Sequence, residues 1–255
     1  MDFWTSAWFT LDFWQRFCSG FAPYISVAEH KAKAKKYIAE QRKKGIELSP
    51  VELEGRTIAK SWWGKAWCEN LELYADYASR LERGRKYVRA NCVLDLQIEP
   101  GEVHALVQGI GKKPYTVKVR IDELTEEQYE KIVEKCASKI QNLEDLINGN
   151  FPDDLKSLFT EKRAGLFPSM AKIHFNCSCP DWADMCKHVA AVLYGIGSRF
   201  DKDPLLFFKL RGVDTERLIG NAINDRIESM IENASKPSDR IMDDADLTAL
   251  FGMEV

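Results

Sequence analysis

The sequence predicts an α+β protein with a small antiparallel meander flanked by helices in its first half and a helical second half. Three observations predict it. Between residues 86 and 121 apolar positions recur at every second residue, the period of half-buried strands. On both sides of that stretch they recur at every third or fourth residue, as on helices. Finally, Cys177, Cys179, Cys186 and His188 fall within twelve residues, a complete tetrahedral ligand set for zinc, and they predict a strand, a tight turn and a helix pinned by one ion.

Taken in order, the first element is a helix over Ala28 to Lys44 that ends at Gly45. Ser61 to Ser79 follows as a second helix, with Ser61 as its N-cap and Trp62, Trp63, Ala66, Trp67, Leu71, Tyr74 and Ala78 at helical spacing, so its tryptophans belong to the core. Three strands are expected near 86–98, 102–109 and 114–121, joined at Pro100-Gly101 and near Gly111. Thr125-Glu-Glu-Gln128 reads as a capping box that opens a helix with Tyr129, Ile132, Val133, Cys136, Ile140, Leu143 and Ile147 along one stripe. Gly149 and Pro152 stop it, and short helices near 153–160, 203–210 and 214–233 surround the cysteine-rich unit. The chain divides into an aromatic N-terminal arm (1–27), a basic helix with the antiparallel sheet (28–123), a helical region (124–234) holding the metal unit at about 171–198, and an acidic tail (235–255).

The spacing of the four ligands carries geometry. In a strand, residues two apart point to one side, so Cys177 and Cys179 can face one ion at the end of Ala171–Asn176. In a helix, residues two apart point about 200° apart, so Cys186 and His188 cannot both lie mid-helix, and the helix must begin near His188. Pro180 and Asp181 supply the turn, and Val189–Ile196 is apolar enough to be buried. His174 lies on the opposite side of the strand from Cys177 and is expected at the surface or behind the ligands. Cys18, Cys68, Cys92 and Cys136, scattered among apolar neighbours, are expected to be small buried hydrophobes. Four protein ligands close a tetrahedral shell, so the metal is structural.

Cys-x-Cys, a short gap and Cys-x-His is a pattern similar to the SWIM zinc finger, and residues 175–195 resemble its bacterial form. The likeness extends to residues 58–72, to Arg80-Leu-Glu-Arg-Gly-Arg-Lys-Tyr-Val-Arg89 and to Leu206–Asp214, so that roughly residues 21 to 220 resemble bacterial SWIM zinc finger proteins. The resemblance implies a zinc module used for contact with nucleic acid or protein, in chains that often accompany Swi/Snf-type helicases, with no enzymatic activity of its own. The first 18 residues and the tail after about 235 fall outside it.

Charge is segregated along the chain. Among its 255 residues, which carry a net charge of −3, residues 29–120 hold 19 Lys and Arg against 12 Asp and Glu, whereas residues 121–200 hold 9 against 13 and residues 201–255 hold 7 against 12. The first helix, with Lys31, Lys33, Lys35, Lys36, Arg42, Lys43 and Lys44, is either a solvated helix or a phosphate-contacting one. Arg80, Arg83, Arg85, Lys86 and Arg89 surround Gly84 and Tyr87 at an expected helix-to-strand junction, where guanidinium groups and an aromatic face can meet a nucleic-acid backbone and its bases. Lys112, Lys113, Lys118 and Arg120 would extend that surface, the last two on the positive outer face of a strand, unless acidic residues cover it.

Several classes are disfavoured. Gly109-Ile-Gly-Lys-Lys113 lacks the spacing and the Ser/Thr of a phosphate loop, and four histidines, one of them a ligand, leave little for a triad. Seven cysteines without a secretory signal point to a reducing compartment, the cytoplasm. The aromatic opening, broken by Asp2 and Asp12 and without a basic flank, is too short to span a bilayer; it reads as an arm on the protein's own core, a partner anchor or a membrane-surface contact. The expected function is therefore non-catalytic: nucleic-acid binding, DNA before RNA, together with docking to a helicase-type partner. The alternative is a purely protein-binding adaptor.

Overall fold

The computed structural model describes residues 25–73, 78–139 and 166–214, together with 220, 224, 227, 228, 230 and 231. The predicted helix at 153–160, most of the aromatic arm, most of the predicted helix at 214–233, the acidic tail, and Cys18 with the side chain of Cys136 lie outside the described residues; residues 220, 224, 227, 228, 230 and 231 are helical.

Helix α1 spans Val27–Lys43. Ser26 and Glu29 form a reciprocal capping box, with Ser26 N–H donating to Glu29 Oε2 at 2.8 Å and Glu29 N–H donating to Ser26 Oγ at 3.2 Å, and Gly45 leaves the helix with φ +77°. Only His30 and Ala34 of α1 are buried, so its cations face outward. Helix α2, Trp62–Glu72, is capped by Ser61, as its sequence implies. Trp67 is fully buried and its indole N–H donates to the Leu193 carbonyl at 2.9 Å, which places that tryptophan in the core.

The next segment corrects the sequence reading. Instead of one helix to Ser79 and a strand from residue 86, the structure has α2 ending before Leu73 and a separate helix α3, Ala78–Arg89, with β1 starting only at Val93. Asn91, in the left-handed region at φ 54°, ends α3, and Cys92 N–H bonds back to the Tyr87 carbonyl at 3.1 Å. Gly84 is thus no junction residue. It lies mid-helix because another helix crosses there: an added Cβ would stand 2.5 Å from Ala190 Cβ and 2.8 Å from the Ala190 carbonyl carbon.

Strands β1 (Val93–Glu99), β2 (Glu102–Val107) and β3 (Tyr115–Ile121) form the predicted antiparallel meander, turning between β1 and β2 at Gly101, φ +70°. After β3 comes α4, Glu126–Lys139, opened by the predicted capping box: Thr125 N–H donates to Gln128 Oε1 at 3.2 Å and Gln128 N–H to Thr125 Oγ1 at 3.3 Å. A fourth strand, β4 (Ile173–Cys177), then pairs antiparallel with β3, in the order β1-β2-β3-β4. The sheet therefore crosses the sequence division at 122–124. Helix α5, Lys187–Lys202, and the short α6, Leu205–Leu210, follow β4, which is itself preceded by a 3-10 turn at Met170–Lys172.

Twelve of the sixteen residues of α5 are buried, because it lies between α2 and α3 on one side and the sheet on the other. Val103, Ala105, Val107, Val117, Val119 and Ile121 point at it from the sheet. The opposite sheet face is open, and the register sets Gln97, His104, Lys118 and Asn176 in one row across it. That face is of mixed charge rather than positive: Lys118 Nζ stands 2.8 Å from Glu102 Oε2, and Lys209 pairs with Glu99 at 3.1 Å. The Arg199 guanidinium, near the end of α5, donates to the Ser49 and Pro50 carbonyls at 2.8 and 3.0 Å, clamping the extended segment that covers the outer edge of β1.

Candidate metal centre

Three chain elements deliver the four donors. Cys177 ends β4, and Ser178 continues the pairing by donating its N–H to the Thr116 carbonyl at 3.0 Å, so strand alternation brings Cys179 to the same side as Cys177. Cys186 is the N-cap of α5, with extended φ −80° and ψ 170°, and its Sγ accepts from Val189 N–H at 3.5 Å. That extended cap lets it share a site with His188, which a continuous helix would forbid.

The three sulfurs and one imidazole nitrogen all lie within 4.8 Å of one another. His188 Nδ1 stands 3.9 Å from Cys177 Sγ and 3.8 Å from Cys186 Sγ. With metal–sulfur bonds of about 2.3 Å and metal–nitrogen bonds of about 2.0–2.1 Å, the edges of a zinc tetrahedron are about 3.5–3.8 Å, so the cluster fits one structural zinc with little adjustment. Hydrogen bonding from the Cys177 thiol, opposed by burial but helped by His188 and Val189 N–H, draws the Cys186 thiol well below the usual thiol range. Cys177 is held up by that same hydrogen bond and Cys179 by burial, and a bound cation is what deprotonates such thiols. Away from the cluster, burial pushes the Cys68 and Cys92 thiols up to about 12, the behaviour of inert core cysteines. Cys92→Ser is accordingly expected to leave metal content, measured by elemental analysis, unchanged.

The surroundings hold the imidazole by shape. Its ring lies 4.6 Å from that of Tyr115 and 5.4 Å, edge-on, from that of Tyr87. His188 Nε2 is buried and has no hydrogen-bond partner among the described residues. Gly109 lets the β2–β3 connection approach: a Cβ there would stand 2.3 Å from the Tyr115 ring and 3.4 Å from His188 Nε2. Neither tyrosine nor Gly109 is marked as a neighbour of the metal by local spacing, because Tyr115 comes to face it only when β4 joins the sheet. His174 points outward, as its parity predicts, with Nε2 2.8 Å from Asp122 Oδ1.

The finger loop is tied to α3. Asp181 Oδ2 accepts from Arg80 Nη1 at 2.6 Å, and its Oδ1 accepts from Ala183 N–H at 3.3 Å. Arg80 is thus a support of the loop. Arg85 is also engaged, donating to Glu72 Oε1 at 2.5 Å and to the Tyr194 hydroxyl at 3.1 Å. Lys86 pairs with Glu82 one turn earlier, and Arg89 Nε donates to the Arg56 carbonyl at 2.9 Å. Arg83, Lys112, Lys113 and Arg120 are exposed. The two arginines of α3 should therefore separate on mutation. Arg85→Gln is expected to lower unfolding free energy by about 1–2 kcal/mol, the range for a half-exposed charged hydrogen bond, whereas Arg83→Gln should leave the melting temperature in place.

A cleft of about 350 Å³ opens between α1 and the β2–β3 connection, lined by Lys33, Lys36, Tyr37, Glu40, Gln108 and Lys112. Lys33 Nζ donates to the Ile110 carbonyl there at 3.2 Å. One turn back along α1, the His30 ring lies 5.1 Å from that of Tyr87, over which Lys187 Nζ sits at 5.6 Å. The cleft and the metal centre are therefore neighbours through Tyr87, whose ring contacts both His30 and His188. Lys33, Lys36 and Lys187 were not placed at one site from sequence, because α1 and α5 are some 150 positions apart.

A four-stranded antiparallel sheet closed by a Cys3His strand–turn–helix defines a structural zinc-finger protein, and residues 176–195, from the end of β4 into α5, match the SWIM zinc finger family. The uncharacterized protein Rv2102 of Mycobacterium tuberculosis (strain ATCC 25618 / H37Rv) is 35% identical over 165 residues, which cover 64% of this chain and 59% of that protein. The chain thus spans about three fifths of that relative's length. No solved structure matches it. Among the described residues no helix is long and apolar enough to cross a membrane.

Proposed function

We propose that the protein is a non-catalytic, cytoplasmic zinc-finger protein that binds nucleic acid, DNA before RNA, and docks a larger nucleic-acid-processing machine such as a Swi/Snf-type helicase. The observation that carries the first part is the basic run beside the metal centre: Lys33, Lys36 and Lys112 around the cleft, Lys187 over Tyr87, and Arg83 one turn before Tyr87 on α3. Cations of this kind on a surface held rigid by a metal and a sheet suit phosphate contact, in which each neutralised phosphate releases counterions. Four ligands complete the zinc shell without an open position for water, which supports a structural rather than catalytic ion. The docking role rests on the resemblance to helicase-associated SWIM proteins.

The test is a salt titration with labelled oligonucleotides. Log affinity should fall linearly with log salt, and Lys33→Glu with Lys36→Glu and Lys112→Glu should weaken binding at least tenfold and flatten the slope, with zinc content unchanged. A flat response, or no binding by the unsubstituted protein, would favour the protein-binding adaptor. Affinity capture from the native host, with and without nuclease, checks the docking: a helicase retained after nuclease treatment is the expected result.

A further inference from the structure

Trp182 sits midway between the second and third zinc ligands, and it is 93% exposed. Trp67, in contrast, is fully buried, and the other large hydrophobic residues exposed among the described residues are aliphatic. An indole left almost wholly in water is unusual for a monomeric surface and typical of a contact residue. The backbone under it is fixed. Zinc ligands stand on both sides at Cys179 and Cys186, Pro180 restricts the turn, and Asp181 is held by Arg80 and by Ala183 N–H. Binding to the ring therefore costs little ordering of the loop.

What covers it is indicated by the surface it belongs to. From Trp182 the connection runs through Asp181 to Arg80 on α3, one turn on to exposed Arg83, one further turn to Tyr87, and from there to Lys187 and the lysine cleft. Arg80 neutralises Asp181, and Asp184 is the remaining exposed carboxylate of the loop. An aromatic platform at the end of a line of cations is the arrangement that binds single strands: cations follow the phosphates while a base stacks on the ring. In a duplex the base faces are already covered by their neighbours, so a lone indole has nothing to stack on except at an end.

We propose that Trp182 is a base-stacking platform and that the nucleic acid bound at the finger is single-stranded. This rests on the nucleic-acid reading above, and the experiment separates the two. Fluorescence anisotropy with a labelled oligothymidylate, a duplex of equal length and an abasic strand of equal length would be recorded for the full chain and for Trp182→Ala and Trp182→Phe. The expected result is tighter binding of oligothymidylate than of duplex or abasic strand. Trp182→Ala should weaken oligothymidylate binding about tenfold or more. It should leave duplex binding, the salt slope, the zinc content and the melting temperature unchanged, and Trp182→Phe should restore most of the loss. Oligothymidylate binding by Trp182→Ala equal to that of the unsubstituted chain, or an equal loss for all three probes, overturns the platform while leaving the nucleic-acid reading intact. No salt-dependent binding of any probe by the unsubstituted chain overturns both.

Discussion

Cys186→Ser is expected to release the zinc and open the corner where β4, the finger loop and α5 meet. The substitution is informative because Cys186 does two jobs: it is a metal ligand, and its sulfur caps the first turn of α5 by accepting from Val189 N–H at 3.5 Å. Serine is among the best N-caps, so the capping function survives and only the thiolate is lost. In small zinc modules binding free energy of about 10–16 kcal/mol is largely folding free energy. Here the finger shares a core with the sheet, so part of that energy is expressed as lost stability of residues 173–200 and part as weaker metal binding. Elemental analysis should fall from one equivalent to a small fraction of it, and hydrogen exchange should rise in β4 and the first turns of α5. Cys179→Ser should behave alike, and a strong chelator should reproduce both on the unsubstituted chain. A full equivalent of metal retained by both variants would refute the ligand set. Cys186→Ala should be worse than Cys186→Ser by about 1 kcal/mol, the value of the cap.

Gly84→Ala is expected to destabilise the protein, against the ordinary direction of that change. In an exposed helix interior, alanine for glycine gains roughly 0.5–1 kcal/mol. At residue 84 the new Cβ would meet Ala190 Cβ at 2.5 Å, the Ala190 carbonyl carbon at 2.8 Å and the Ala191 nitrogen at 2.9 Å. None of these is the movable end of a long side chain, so α3 and α5 must separate. Overpacking of this kind costs about 1–3 kcal/mol, and backbone contact places the change at the upper end. For a chain of this size that corresponds to a fall of about 5–10 °C in melting temperature. Because α3 also carries Arg80 to Asp181, the shift should loosen the finger loop and slow zinc uptake. Scanning calorimetry would decide it: a melting temperature unchanged or raised would mean that the helices do not touch at Gly84.

The zinc centre was legible because its geometry is local. Two residues apart on a strand, two residues apart across a helix start and a proline turn between them fix four side chains relative to one another whatever the rest of the chain does. Ser61 and Thr125-Glu-Glu-Gln128 were legible for the same reason, since caps are settled within four residues. The region from 78 to 92 misleads because Gly84 resembles a breaker, and nothing nearby in sequence reveals that Ala190 lies against it. Asn91 carried the true stop signal.

The ligands, the start of α5, the three-strand meander and the segregation of basic charge can all be read from the amino-acid order, because they depend on spacing within about a dozen residues or on composition. It takes the folded chain to make β4 a fourth strand, to engage Arg80 and Arg85 with Asp181, Glu72 and Tyr194, to bring three lysines from two distant segments to one cleft, and to leave Trp182 in water while Trp67 is buried. The reason is that a side chain's neighbours are set by where separate elements cross. Arg85 and Tyr194 lie 109 positions apart, and no local period relates them until α3 and α5 meet.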